Sequence, residues 1–197
     1  MITPASPEDL RIIAAQLGRV PRGVLGVAAR CGDCGDNPAN GSAGHEGGIS
    51  VGGPGGISAG HPAVIASAPR LPGGEPFPTF YYLTCPAAVA AVSHLEANGV
   101  MREAEALLEA NPQIAAAYTR AHELYIRERT QAGEASGVGE VPEIAGVSAG
   151  GMPRRVKCFH ALLGHALAAG RGVNPIGDWV LDLSLIHISE PTRRYAI

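Results

Sequence analysis

Four cysteines in three separated stretches are the residues of this chain best suited to chemistry. Cys31 and Cys34 form a Cys-x-x-Cys pair in RCGDC, Cys85 lies in YLTCP and Cys158 lies in RVKCFH. Zinc commonly takes about four cysteine or histidine ligands in a tetrahedral arrangement. The sequence therefore suggests one zinc site built from all four thiolates, provided that the fold brings the segments together. An iron–sulfur cluster uses the same set of ligands, and four cysteines buried as small apolar side chains are the inert alternative.

The histidines near Cys158 are constrained by helix geometry. We expect a helix from Pro153 to Gly170, and on it Cys158 and His160 would be separated by about 200°. Cys158 and His165 would share a face but lie about 10 Å apart along the axis. Neither pair is expected to hold one ion, and His165 is expected to be a core or surface histidine.

Cys85 has a second interpretation as a reactive thiol. The segment Thr84-Cys85-Pro86 lies where a strand is expected to turn into a helix, and a thiol at a helix N-terminus has a lowered pKa. Such a thiol would suit a nucleophile, with His160 or His94 as its base. No catalytic signature surrounds it, so a capping or metal-bound cysteine is the preferred interpretation.

A third candidate is an anion site in SAGGMPRRVK. Two glycines precede the expected helix start there, and Arg154, Arg155 and Lys157 follow. Free helix amides and three cations could hold a phosphate or a carboxylate. A solvated helix start is the preferred explanation.

The elements that must position these residues predict an α+β fold. Ser6-Pro7-Glu8-Asp9 is a helix start that leads to a stop at Gly18. Short apolar runs then predict a small antiparallel sheet in the N-terminal third, and the rest of the chain is mostly helical. The expected strands are 24–30, 62–71 and 79–85, and the expected helices are 86–98, 101–110, 112–131 and 153–170.

Residues 35–61 form a tract rich in Gly, Ser and Asn, which we interpret as a flexible insertion. Such a composition buries too little apolar surface to offset chain entropy. His45 and His61 lie in or beside this tract, and we expect both to be solvated. The remainder of residues 1–182 is expected to form a single domain.

Bulk properties exclude some classes of function. The net charge of the 197 residues is −3, which disfavours nucleic-acid binding. No apolar run approaches the roughly 20 residues that span a bilayer, and the N-terminus lacks the features of a secretory signal. We therefore expect a cytoplasmic protein with reduced thiols, and no partner is indicated.

The C-terminal residues Leu183 to Arg193 read LSLIHISEPTR. This string matches the translation of the transposon-end adapter used in DNA library preparation. We therefore expect the native sequence to end at about Asp182, with 183–197 a non-native tail.

Several segments resemble the DUF501 family, an uncharacterised and mainly actinobacterial group. They include LGRVPRGVLGVAARC, PAVIASAPRLPGGEPFPTFYYLTCP and VSAGGMPRRVKCFHALLGHALAAGRGVNPIGD. The resemblance extends to the residues of chemical interest: Cys31, Cys85, Cys158, His160, His165 and Asn174-Pro175. Family members have a shorter, CxC-like spacing that leads directly into the PAV strand, so 35–61 resembles an insertion. The resemblance implies a cytoplasmic bacterial protein and no established reaction.

Three functions therefore stay open at the level of sequence. The leading hypothesis is a zinc-binding protein that uses Cys31, Cys34, Cys85 and Cys158. The second is an enzyme that uses a cysteine/histidine pocket on an anionic substrate. The third is a non-catalytic interaction module with inert thiols.

Overall fold

The structure, a computed structural model, describes residues 1–31 and 60–189, with side chains as far as Ser184. The segment 32–59, which holds Cys34, His45 and most of the expected insertion, lies outside the described residues, as does 190–197. A small sheet followed by helices confirms the expected α+β class. The elements are α1 (Pro7–Leu17), β1 (Val24–Arg30), β2 (Pro62–Ser67), β3 (Tyr81–Leu83), α2 (Pro86–Ala97), α3 (Met101–Ala110), α4 (Pro112–Ala135), a 3-10 turn (Pro142–Ile144), α5 (Phe159–Ala169) and α6 (Pro175–Ser189).

The sheet is antiparallel throughout, in the order β1-β2-β3. The central strand β2 is buried along its whole length, as expected for a strand with neighbours on both edges and helices on its face. Arg30 lies opposite Pro62 in the β1–β2 register, and the Cys31 amide donates to the His61 carbonyl at 2.9 Å. This register determines which side chains meet at the end of the sheet.

Helix α1 begins and ends where its sequence predicts. Ser6 and Asp9 form a reciprocal capping box at its start, and Gly18 ends it in the left-handed conformation with φ 65°. The Asp9 carboxylate also accepts two hydrogen bonds from Arg30, one from Nη1 at 2.7 Å and one from Nη2 at 2.9 Å. This bidentate pair attaches the helix to the last residue of β1.

The core lies between the sheet and the helices α4 and α5. One side of α4 is buried at Tyr118, Ala121 and Tyr125. The Tyr125 hydroxyl accepts from the Phe80 amide at 2.6 Å, which ties α4 to the start of β3. His165 of α5 is fully buried, and this confirms its place in the core.

Helix α5 begins at Phe159, so the expected start near Pro153 was wrong. Residues 150–157 form a tight loop instead, in which Gly150 and Gly151 adopt left-handed φ values of 71° and 95°. The Lys157 amide donates a hydrogen bond to the Gly150 carbonyl at 2.8 Å, and this bond joins the two ends of the loop. The chain then enters the helix only after Cys158.

Helix α6 follows directly and packs against α5. It continues through Ser189, so the adapter-like segment is helical at its start. Within the described residues, no helix combines the length and the apolar character that crossing a membrane requires.

Candidate functional sites

Three metal-binding side chains meet at one end of the sheet, and we call them the sheet-end group: Cys31, His61 and Cys85. One ligand atom from each lies within 4.8 Å of the others. Antiparallel pairing explains this, because Cys31 and His61 face each other across β1 and β2. Cys85 arrives from β3, where its amide and that of Thr84 both donate to the Ala63 carbonyl, at 3.3 and 2.8 Å.

The sheet-end group is shielded from solvent. Cys31 and Cys85 are each 1% exposed. His61 is half-buried, and its Nε2 atom is buried with no hydrogen-bond partner among the described residues. Burial lowers the pKa of His61 and so favours the neutral ring, in which one nitrogen keeps its lone pair. A buried polar nitrogen without a partner costs stability unless something else contacts it.

Sequence reasoning missed His61 because it expected this residue to be solvated beside a loop. The signal that could have revealed it is its place directly before the strand that must pair with the Cys31 strand. A histidine one residue before β2 and a cysteine one residue after β1 become cross-strand neighbours in an antiparallel pair.

Cys85 precedes α2 as its N-cap, as the sequence predicts. The expected lowering of its pKa was wrong, because burial raises the pKa of the Cys85 thiol. The amides of Ala87 and Ala88 act in the opposite direction, and the loss of solvation outweighs them. The partner suggested on the same helix, His94, lies nine residues further along, about 13 Å on the helix axis.

Cys31 is disulfide-bonded in the structure, whereas Cys85 and Cys158 carry reduced thiols. The expectation of reduced cysteines therefore does not describe Cys31 here. A disulfide sulfur is not a thiolate, and thiolate is the form that binds metals. Metal binding by the sheet-end group consequently requires Cys31 to be reduced.

Cys158 belongs to a second cluster, which we call the helix-end group: Glu96, Cys158 and His160. Their ligand atoms also lie within 4.8 Å of one another. Glu96 and Cys85 stand at opposite ends of α2, about 16 Å apart along its axis. The structure therefore does not bring Cys158 to Cys31 and Cys85, and metal binding by all four cysteines stays a prediction.

Cys158 and His160 meet because the helix starts later than expected. Cys158 is extended, with φ −158° and ψ 110°, so the argument from opposite helix faces does not apply. Its Sγ lies 4.0 Å from His160 Nδ1, and Glu96 Oε1 lies 3.2 Å from the same nitrogen. Ser93 Oγ is 3.2 Å from Nε2 on the other side of the ring.

Glu96 also caps α5, because its Oε1 accepts from the Phe159 amide at 2.7 Å. The pKa of His160 is raised, first by the hydrogen bond with Cys158 and also by the charge of Glu96, against a smaller opposing effect of burial. The proton on the ring is thus stabilised by the sulfur and the carboxylate.

Residues 57–182 match the family described as "Protein of unknown function (DUF501)". The chain belongs to the DUF501 family. This confirms the resemblance seen in the sequence, and the matched range contains Cys85, Cys158 and His160 but begins after Cys31. No curated protein and no solved structure matched the chain.

In this DUF501 protein the helix-end group opens into a cleft of about 810 Å³. Cys158 and His160 lie in its wall, and most of the other lining residues are apolar or carry a hydroxyl group. Among them are Leu17, Pro78, Thr79, Tyr82, Leu83, Thr84, Pro86, Val89, Ala90, Ser148, Ala149 and Ala161.

The residues of the predicted anion site lie before the start of α5, and anion binding there stays a prediction. Arg154, Arg155 and Lys157 are exposed in the loop before the helix, and none of them is among the described residues that line the cleft. The first amide of the helix already donates to Glu96. An anion would meet that carboxylate, which disfavours its binding there.

Proposed function

We propose that the protein binds one zinc ion through Cys31, His61 and Cys85 when Cys31 is reduced. The observation that carries this proposal is the distance of at most 4.8 Å among three donor atoms of the types zinc prefers. A metal site requires ligands of suitable type at suitable distances. Here such ligands come together on strand ends from distant parts of the sequence.

The buried Nε2 of His61 supports the same function. It has no hydrogen-bond partner among the described residues, although a buried polar atom normally has one. A metal ion bound at this nitrogen would remove the deficit. The side chains therefore fit the ion by chemistry as well as by distance.

Zinc fits this set better than an iron–sulfur cluster. The described donors are two sulfurs and one imidazole, a mixture common at zinc sites, whereas clusters mostly use four cysteines. Zinc with three protein ligands keeps a fourth position for water or another ligand. When bound, the ion would supply a crosslink between the end of β1, the start of β2 and the start of α2.

The second layer around the sheet-end group also favours a stable site. Arg30, the neighbour of Cys31, donates to the Gly60 carbonyl at 3.2 Å while it is held by Asp9. Gly60 precedes His61, so one guanidinium fixes the backbone beside two of the proposed ligands. Such outer contacts orient ligands and raise metal affinity.

The helix-end group is the weaker zinc candidate. Its carboxylate is already engaged by the Phe159 amide and by His160. The side chains of His160 and Glu96 are 28% and 24% exposed, so water can satisfy them without an ion.

Metal analysis of the purified protein under reducing conditions tests the proposal. We expect about one zinc per chain in the wild type, and a loss of most of it in His61→Ala and Cys85→Ser. Cys158→Ser is the matched control and should keep its zinc, because Cys158 lies in the other group. A zinc-free reduced wild type, or equal loss in Cys158→Ser, would contradict the assignment.

Oxidation of Cys31 provides a second, independent test of zinc binding. Forming the Cys31 disulfide removes one thiolate ligand, so oxidised protein should release zinc and reduction should restore binding. Cobalt(II) added to the reduced protein should show thiolate-to-metal charge-transfer absorption that His61→Ala weakens. Iron with acid-labile sulfide, in place of zinc, would show that the metal was misassigned.

A further inference from the structure

We infer that Cys158 is a nucleophilic thiol that accepts an uncharged, largely apolar acyl group bound in the adjoining cleft, with His160 as its proton partner. The group would arrive as an ester or thioester. This inference is independent of the zinc proposal, because it uses neither Cys31, His61 nor Cys85.

The cleft determines the class of ligand. It is an open cleft of about 810 Å³, and among the described residues that line it none carries a carboxylate, an ammonium or a guanidinium group. Leu17, Pro78, Leu83 and Val89 contribute apolar walls. A pocket of this size and composition favours a small uncharged group over the anionic substrate considered from the sequence.

The thiol is accessible and has a partner for its proton. Cys158 is reduced and half-buried, and its Sγ lies 4.0 Å from His160 Nδ1. Glu96 Oε1 is 3.2 Å from the same nitrogen, and Ser93 Oγ is 3.2 Å from Nε2. Both ring nitrogens of an imidazolium would thus face acceptors. A cysteine beside a histidine whose orientation a third group determines is the arrangement that activates a thiol.

The helix start supplies groups for the developing oxyanion. The Phe159 amide is occupied by Glu96, but the amides of His160 and Ala161 lie in the first turn of α5, where helix geometry provides no acceptor. Both residues line the cleft beside Cys158. Donors at a helix N-terminus stabilise the negative oxygen that forms during acyl transfer.

The proposed step is a transacylation. The Cys158 sulfur forms a bond to the carbonyl carbon, and the bond from that carbon to the leaving oxygen or sulfur breaks. The leaving group departs with the electron pair of the broken bond. The thiol proton passes to His160 and then to the leaving group, so the products are an S-acyl cysteine and an alcohol or thiol.

The test uses p-nitrophenyl butyrate with the reduced wild-type protein. We expect release of about one p-nitrophenolate per chain in a rapid phase, and peptide mapping should place the butyryl group on Cys158. The mapping uses the wild type, so the site assignment does not depend on the folding of a variant. Label on Cys85, or reaction no faster than that of N-acetylcysteine, would overturn the inference.

Two comparisons test the roles of histidine and cleft. His160→Gln should slow the rapid phase by roughly a hundredfold while its zinc content and circular dichroism match the wild type. The p-nitrophenyl ester of succinic acid, which carries a carboxylate, should react at least about tenfold more slowly after correction for its rate with free thiol. An unchanged rate in His160→Gln, or equal rates for the two esters, would contradict the proposal.

Discussion

The sheet-end and helix-end groups use similar residue types in opposite surroundings. In the first, the two sulfurs are almost fully buried and the donors sit on strand ends that the sheet register holds. In the second, Cys158 and His160 lie at helix ends and open into a cleft. In the two functions proposed above, solvent access, more than residue type, separates the site for a zinc ion from the site where a thiol meets a ligand.

Each group also has its own supporting carboxylate. Asp9 holds Arg30 beside the sheet-end group, and Glu96 caps α5 and contacts His160 in the helix-end group. A substitution of either acid therefore tests one of the two groups without changing the other.

The largest expected effect is the contrast in thiol reactivity. In native, reduced and metal-free protein, iodoacetamide should alkylate Cys158 at least about a hundredfold faster than Cys85, because Cys85 is buried and its raised pKa disfavours the thiolate. Mass spectrometry of timed digests measures both rates. Unfolding in guanidinium should bring the rates together, and comparable rates in the native state would remove the distinction between the groups.

The next effect concerns Asp9, whose pKa is lowered to about 2, chiefly by the hydrogen bond from Arg30. A lowered folded-state pKa contributes stability above the ordinary value of 3.8 that is lost as pH falls toward 2. Asp9→Asn should therefore cost about 2 kcal/mol near neutral pH and flatten the acid limb of the stability profile. Denaturant unfolding followed by Trp179 fluorescence at several pH values measures this.

Glu8→Gln is the matched control on the same helix. Glu8 pairs with Arg11, but both side chains are largely exposed, so the variant should change stability by less than about 0.5 kcal/mol. If Asp9→Asn lowers the free energy of unfolding no more than Glu8→Gln does, the ion pair between Asp9 and Arg30 does not stabilise the structure beside the sheet-end group.

The smallest effect is expected for Glu96→Gln. The amide oxygen can still accept from Phe159, so the loss of charge at the start of α5 should cost only about 0.5 kcal/mol. The pKa of His160 should nevertheless fall, because the Glu96 charge helps to raise it. An NMR titration of the imidazole provides the measurement, and an unchanged His160 pKa would show that Glu96 only caps the helix.

Much of the local structure could be predicted from short sequence signals. The Ser6 cap and Gly18 stop defined α1, and short apolar runs located the three strands. These features depend on contacts within a turn or on the periodicity of a few residues, so the sequence contains all that is needed. The predicted start of α5 was wrong because residues 150–157 form a loop that a hydrogen bond from the Lys157 amide to the Gly150 carbonyl closes, and helical periodicity does not reveal such a contact.

The sequence by itself determined the family, the α+β class and the types of side chain available for chemistry. Only the tertiary structure decided that His61 joins Cys31 and Cys85, that Cys158 lies at the other end of α2, and that burial raises the pKa of Cys85. The reason is that donor convergence and desolvation depend on strand register and helix packing between residues far apart in the chain. No local pattern specifies those long-range contacts.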